Sequence, residues 1–187
     1  MQPVQQLMLR QITELESIGD SVYNLARTLN RHRMNCQDAF TEDQLHHMRT
    51  MLQLVERALQ EMMKRLGNSG RMGVTASFNI EHEINNYRKQ LKNQNLQDVN
   101  SGQYSYQLGV FYVDFISECE KLADYVINVV QAGRGMNNDY SEANKKALLV
   151  NSPGSAKSAP FSKHNSNIFF STTTPPCEFI SHISSVV

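Results

Sequence analysis

The sequence predicts an all-α fold, an antiparallel bundle of about four long helices followed by a disordered C-terminal tail. Between Met1 and Gly133 the only proline is Pro3 and the glycines are clustered, which leaves long uninterrupted segments. Those segments carry apolar residues at alternating spacings of three and four, which is the period of an amphipathic helix. After Gly133 the composition changes. One helical domain and one tail follow from these observations.

The first two helices have clear apolar stripes. The first is predicted from about Pro3 to Leu29, and its stripe is Met8, Ile12, Leu15, Gly19, Val22, Ala26 and Leu29. The second begins after Thr41, where Thr41-Glu-Asp-Gln44 has the pattern of a capping box, and is predicted to close at Gly67. Its stripe is Leu45, Met48, Leu52, Val55, Leu59, Met62 and Leu66.

The third and fourth helices are predicted from shorter or more mixed stripes. The third starts near Ser77 or Asn79 and fades in the Asn/Gln-rich stretch 92–100; its stripe is Ile80, Ile84, Tyr87 and Leu91. The fourth runs from about Tyr104 to Gln131, and its stripe is Tyr112, Ile116, Cys119, Ala123, Val126 and Val130.

The stretch 134–187 is predicted to be a low-complexity, disordered tail, so the bundle occupies 1–133. Four of the five prolines and a dense set of Ser, Thr and Asn lie between Asn151 and Val187, without helical or strand period. The abrupt change also suggests the hypothesis that the tail is non-native coding, such as a shifted reading frame.

Charge and cysteine usage exclude several classes of protein. The chain has 18 Lys+Arg and 18 Asp+Glu, so it lacks the cationic surplus of a nucleic-acid binder or a polybasic membrane-surface module. Its three cysteines, Cys36, Cys119 and Cys177, are too far apart for a metal knuckle and odd in number, which favours a reducing compartment. No apolar run reaches the ~18 residues of a membrane span. No phosphate loop, nucleophile elbow or Cys/His pair is visible, so the sequence predicts no enzymatic activity.

An internal repeat relates the first and fourth helices. Residues 12–24 align with residues 116–128 at a constant offset of 104, and six positions are identical. These are Ile12/Ile116, Glu14/Glu118, Glu16/Glu120, Asp20/Asp124, Val22/Val126 and Asn24/Asn128. We therefore expect the two helices to be equivalent elements of a duplicated architecture.

Each copy contains Glu-x-x-x-Asp, which places two carboxylates about one turn apart on one helical face. A solvated acidic surface explains any single pair of this kind, but packing does not explain why the pair recurs in register. Beside it, Gly19 or Ala123 removes side-chain bulk, and a partly buried shelf of carboxylates with spare volume suits a hard or borderline cation. Glu81 and Asn85 repeat the spacing in the third helix, with an amide in place of the second acid.

The repeated strings resemble a known family. Leu15 to Asp20 followed by Asn24, and Cys119 to Asp124 followed by Asn128, are similar to the paired signature helices of PhoU proteins, which are built as two three-helix bundles. The stretch Glu81 to Tyr87 with Arg88-Lys-Gln-Leu91 resembles more narrowly the PhoU-like domain fused to bacterial sodium/phosphate (Na/Pi) cotransporters. The resemblance covers about residues 7–132.

The resemblance implies a regulatory domain in phosphate transport and homeostasis, in the cytoplasm or on the cytoplasmic face of the inner membrane. It implies iron-, zinc- or manganese-type metals held by Glu16 and Asp20 at one site and by Glu120, Asp124 and Glu81 at the other. The implied partner is the membrane-embedded Na/Pi transport domain, in the parent chain or in trans, with a second copy of the chain as a further candidate. Compared with that family, the first repeat lacks its first two helices, which predicts an N-terminally truncated fragment of a transporter. In addition, Asn85 stands where the family often has an acid.

Two other classes stay open. A metal-free helical interaction module would use the acidic pairs to contact a basic partner surface. A di-iron carboxylate enzyme needs Glu-x-x-His on two helices, and only Asp43-Gln-Leu-His46 approaches that pattern. His46 and His47 are adjacent and point about 100° apart, so they cannot chelate together and are predicted to be solvated surface residues.

Overall fold

A computed structural model describes residues 3–67 and 75–150, with side chains described for 4–66 and 75–135. It consists of four helices, α1 (Pro3–Asn35), α2 (Glu42–Gly67), α3 (Thr75–Asn100) and α4 (Tyr106–Val150), and no strand occurs in those ranges. The predicted all-α bundle of four long helices is confirmed.

The helix α4 is the centre of the bundle. It packs against each of the other three helices, α2 also packs against α3, and the backbone of α1 comes close to α4 alone among the described elements. The amide of Gln11 reaches the carbonyl oxygen of Val129 at 3.4 Å, and that of Gln107 reaches the carbonyl oxygen of Asn35 at 3.0 Å, so α1 and α4 run antiparallel. Buried residues of all four helices form one hydrophobic core cluster around α4.

The capping box of α2 forms as predicted. The backbone N–H of Thr41 donates to Oε1 of Gln44 at 3.0 Å, and the N–H of Gln44 donates to Oγ1 of Thr41 at 3.2 Å. Two backbone donors at the start of the helix are thereby satisfied. The Gln44 side chain is held in a fixed position at this end of the bundle.

Three predicted helix ends differ from the structure. The helix α1 continues beyond Leu29 to Asn35, and α3 does not fade but continues to Asn100. In α3 the polar stretch stays helical because Leu91 is buried and Gln94 donates to Asp98 one turn later at 2.8 Å. The helix stops where Gly102 adopts a positive φ of 74°.

The helix α4 does not end at Gln131 but continues to Val150, through the predicted domain boundary at residue 133. Gly133 was a poor stop signal, since a glycine inside a helix costs only about 1 kcal/mol relative to alanine. The following sequence, with Glu142, Ala143 and Ala147, has good helix propensity. The predicted tail from residue 151 onward, including its reading-frame hypothesis, lies outside the described residues.

The two repeat copies face each other across an approximate two-fold axis. Nδ2 of Asn24 donates to Oε1 of Glu118 at 3.4 Å, and Nδ2 of Asn128 donates to Oε2 of Glu14 at 3.1 Å. These two hydrogen bonds are equivalent in the repeat, because Glu14 aligns with Glu118 and Asn24 aligns with Asn128. Gly19 in α1 and Ala123 in α4 lie midway in sequence between the bonded residues of each helix, so the axis crosses the two helices at their level.

We predict opposite effects for two glycine substitutions. A Cβ at Gly19 would meet no atom within 4 Å, so Gly19→Ala should stabilise the protein by about 0.5–1 kcal/mol through helix propensity. A Cβ at Gly109 would lie 2.7 Å from Cγ2 of Val99 and 3.1 Å from Oδ1 of Asn95, so Gly109→Ala should destabilise by about 1–2 kcal/mol. Urea denaturation of both variants checks the pair, and a stabilised Gly109→Ala would contradict the close α3–α4 approach.

Candidate functional site

The structure separates the five predicted site residues into two environments. Glu16 and Asp20 are exposed on α1. Their repeat equivalents Glu120 and Asp124 lie on α4 at the boundary with α3, and both are only partly exposed. Glu81, from the first part of α3, comes close enough to Asp124 to act on its charge. The predicted second group is therefore brought together, whereas Glu16 and Asp20 lie apart from it.

We call Glu81, Glu120 and Asp124, together with Arg88, the α3–α4 acid cluster. Burial, followed by repulsion from Glu120 and then from Glu81, raises the pKa of Asp124 from its ordinary value of 3.8 to about 6, while Arg88 opposes the shift. Nη2 of Arg88 lies 2.9 Å from Oε1 of Glu120, and both side chains are largely shielded from solvent. The cluster concentrates negative charge and supplies one cation of its own.

The ion pair weakens the case for a metal at this cluster. Within the described residues, no group of three or more His, Cys, Asp and Glu side chains converges as metal ligands. Arg88 occupies one oxygen of Glu120, and its Nε is buried without a hydrogen-bond partner in the structure. As placed, these side chains hold an arginine rather than a preformed cation site.

A second feature is an exposed apolar stripe that we call the α1 outer face. It consists of Met8, Leu9, Ile12, Tyr23 and Met34, whose exposed fractions are 43%, 52%, 60%, 65% and 73%. At 100° per residue these positions fall on one side of the helix, together with Glu16 and Gly19. Exposed apolar side chains on one side of a helix make this face a candidate interaction surface.

The repeat shows what covers the equivalent face of α4. Ile116, equivalent to Ile12, is fully buried, and Ile127, equivalent to Tyr23, is 4% exposed. Tyr112, equivalent to Met8, contacts His47 of α2, and Glu120, equivalent to Glu16, pairs with Arg88 of α3. The α1 outer face is thus the counterpart of a surface that α2 and α3 cover on α4.

His47 was wrongly predicted to be a solvated surface residue. It is partly buried, its Nδ1 lies 3.2 Å from the hydroxyl oxygen of Tyr112, and its ring meets that of Tyr87 edge-on at 6.2 Å. Burial, followed by the neighbouring His46, lowers the pKa of His47. The helical period could have predicted this partial burial, because His47 lies one residue before the core residue Met48, at the edge of the apolar stripe of α2.

Searches against protein-family models, curated proteins and solved structures found no significant match for this chain. None of the helices in the described ranges is long and apolar enough to span a membrane. The chemistry of the described residues is therefore the basis for any functional proposal.

Asp124→Asn should make the protein more stable at neutral pH. The pKa of Asp124 is raised on folding, so its protonated form stabilises the native state below about pH 4, and this stabilisation is lost as the pH rises through about 6. Removing the charge should add about 1 kcal/mol at pH 7, after allowance for solvent screening, and almost nothing at pH 4. Thermal or urea unfolding across this pH range measures the effect.

Asp114→Asn, which alters an exposed carboxylate on the same helix, is the matched control. It should give no comparable gain in stability at pH 7. A loss of stability in Asp124→Asn at pH 7 would mean that the carboxylate has a favourable cationic partner beyond those described.

Proposed function

We propose that this chain is a non-enzymatic, PhoU-like regulatory domain of a Na/Pi cotransporter-family protein and acts by docking its α1 outer face against helices of the membrane-embedded transport domain. The main support for this proposal is that the two repeat copies differ in how their apolar faces are covered. One copy has its apolar face covered by two helices, and the other presents the corresponding face to solvent.

The dimensions of the α1 outer face suit a helical partner. From Met8 to Met34 the stripe is about 39 Å long at 1.5 Å per residue. Gly19 lies in its middle and would let a partner backbone approach closely, as Ala123 does at the equivalent, buried position of α4. Met8 and Ile12 have the i, i+4 spacing that helix-in-groove recognition uses, and Tyr23 and Met34 lie on the same side of the helix further along.

The charged residues beside the stripe would set the register of docking. Glu16 and Asp20 lie on or next to the α1 outer face, and on α4 the equivalent Glu120 receives Arg88 from a packed helix. A partner helix with an arginine or lysine at the corresponding position would meet Glu16 in the same way. The repeated acids would then serve as docking contacts. A regulatory domain that acts in this way is also a protein-interaction module.

The assignment to phosphate transport is supported by the sequence resemblance in the two signature strings. The antiparallel pairing of those strings about an approximate two-fold axis supports a duplicated architecture. A cytoplasmic position at the inner membrane is part of the proposal, since the partner is membrane-embedded.

Ile12→Asp combined with Tyr23→Asp should weaken binding to the transport domain at least tenfold. Each substitution removes an apolar anchor worth about 1.5–3 kcal/mol when buried. Binding is measured by biolayer interferometry against the transmembrane domain of a bacterial Na/Pi cotransporter in nanodiscs. Both positions are exposed, so the melting temperature should change little.

Leu96→Asp is the control, because Leu96 is 61% exposed on α3, away from the α1 outer face. Equal binding by the wild type, the double variant and the control would overturn the docking surface. If the wild type instead forms a dimer that the double variant dissociates in sedimentation analysis, the partner is a second copy of the chain.

Divalent-cation binding at the α3–α4 acid cluster is a second candidate, favoured by the repulsion among Glu81, Glu120 and Asp124 that Arg88 offsets only in part. The test is the iron, zinc and manganese content of the purified chain by mass spectrometry, in the wild type and in Glu120→Gln/Asp124→Asn. Near-stoichiometric metal that is lost in the variant, together with a lower melting temperature, would support the site. If the purified wild type contains no metal, the metal site is contradicted and Arg88 is the cation that balances the cluster.

A further inference from the structure

Four charged side chains border the α1 outer face, and the sign of their charge changes at Tyr23. Glu16 and Asp20 come before Tyr23, and Arg27 and Arg31 come after it. All four are exposed. At 100° per residue they fall within about 60° of one another, along one edge of the apolar stripe. We call these four residues the charged edge.

Within the described residues, no ion pair of the structure includes a side chain of the charged edge. The two acids are spaced i, i+4, and so are the two arginines, so each pair places like charges close together and is unfavourable by itself. Asp20 and Arg27 lie about 10 Å apart along the axis, beyond the spacing at which helical ion pairs form. The Arg31 guanidinium lies over the ring of Phe111, 5.9 Å from its centroid, and this contact leaves its N–H donors available.

A second copy of the chain in the antiparallel orientation supplies the missing partners. A two-fold axis perpendicular to two antiparallel helices brings the same edge of each helix together and aligns residues that are equally far from the axis. With the axis near Tyr23, Asp20 lies three residues before it and Arg27 four residues after it. Glu16 and Arg31 lie seven and eight residues from Tyr23. Each acid of one copy therefore meets an arginine of the other, and the symmetry produces two sets of these contacts.

The apolar residues of the α1 outer face fit the same arrangement. Ile12 and Met34 each lie eleven residues from Tyr23, so Ile12 of one copy meets Met34 of the other. All three side chains are exposed, so the contact buries apolar surface that now faces water. A parallel arrangement would place each charged residue opposite its own counterpart, where like charges repel. The sequence of the face therefore favours the antiparallel pairing.

We propose that the α1 outer face pairs with the same face of a second copy in an antiparallel two-fold dimer, in which the acidic half of each charged edge binds the basic half of the other. The inference rests on the proposed function only in that both partners use this face. One face cannot hold both partners at once, so the dimer withholds it from the transport domain. Self-association thereby regulates docking.

Analytical ultracentrifugation of the full chain tests the dimer without any transport domain. We expect the wild type to sediment as a dimer at about 0.1 mM. Arg27→Glu places an acid opposite Asp20 at two symmetric points of the interface, so the dissociation constant of the dimer should rise at least about tenfold. Lys92→Glu, the same charge reversal at an exposed position of α3, is the control and should leave the dimer intact. A monomeric wild type, or equal dissociation in both variants, would overturn the proposal.

Exchanging the two charges tests the antiparallel register. Asp20→Arg combined with Arg27→Glu restores opposite charges across the two-fold axis, so the dissociation constant should return to within about threefold of the wild-type value. Such a rescue also shows that the single variant does not lose the dimer through misfolding. If the exchange does not restore the dimer, Asp20 and Arg27 are not partners and the register is wrong.

Sedimentation of the wild type with nanodiscs that contain the transport domain separates this inference from the proposed function. We expect one chain per transport domain, because the dimer must open before docking. Two chains per transport domain would overturn the regulation by self-association. A dimer that does not bind the nanodiscs would overturn the docking partner and retain the dimer, whereas a monomer that binds them would overturn the dimer alone.

Discussion

The antiparallel contact between α1 and α4 is the constraint on which the rest of the structure depends. The reciprocal hydrogen bonds Asn24–Glu118 and Asn128–Glu14 fix the register of the two longest helices, because a slip of one residue would break both bonds together. Hydrogen bonds to charged groups contribute about 1.5–3 kcal/mol each, less where water reaches them. With that register set, the face of α4 that carries Ile116 and Ala123 turns toward α2 and α3, and the equivalent face of α1 turns away from them.

The repeat explains why identical residues have different roles. Hydrogen bonds between the two copies join Asn24 to Glu118 and Asn128 to Glu14. The two-fold relation therefore explains why the same residue types occur at these positions in both helices. Glu16, Glu120, Asp20 and Asp124 lie outside that contact, and their environment depends on what else covers each helix. Burial beside α3 raises the pKa of Asp124 and pairs Glu120 with Arg88, while Glu16 and Asp20 remain exposed. A motif in a repeat therefore identifies equivalent positions but not equivalent chemistry.

The sequence was sufficient for the fold because helical periodicity is a local property. The capping box of α2 agrees with the structure, since Thr41 and Gln44 interact within one turn, and most of the predicted stripe is buried, although Leu66 is 41% exposed. The polar end of α3 and the extension of α4 were missed, because propensity and glycine positions are weak signals beside continuous backbone hydrogen bonding. Arg88 and His47 could not be assigned from sequence, since their partners Glu120 and Tyr112 come from a distant helix.

The α3–α4 acid cluster and Asp98 show that carboxylates of one bundle can have either an ionic partner or neutral partners. At the cluster, Arg88 pairs with Glu120, while burial, followed by repulsion from Glu120 and Glu81, raises the pKa of Asp124. On α3, Asp98 lies within hydrogen-bond distance of two neutral donors, Gln94 and Tyr104, which orient the carboxylate without cancelling its charge. An ionic partner satisfies a carboxylate and removes its attraction for a ligand, whereas neutral partners preserve that attraction. Asp98 therefore retains a charge that Arg88 offsets at Glu120, although the acid cluster contains more carboxylates.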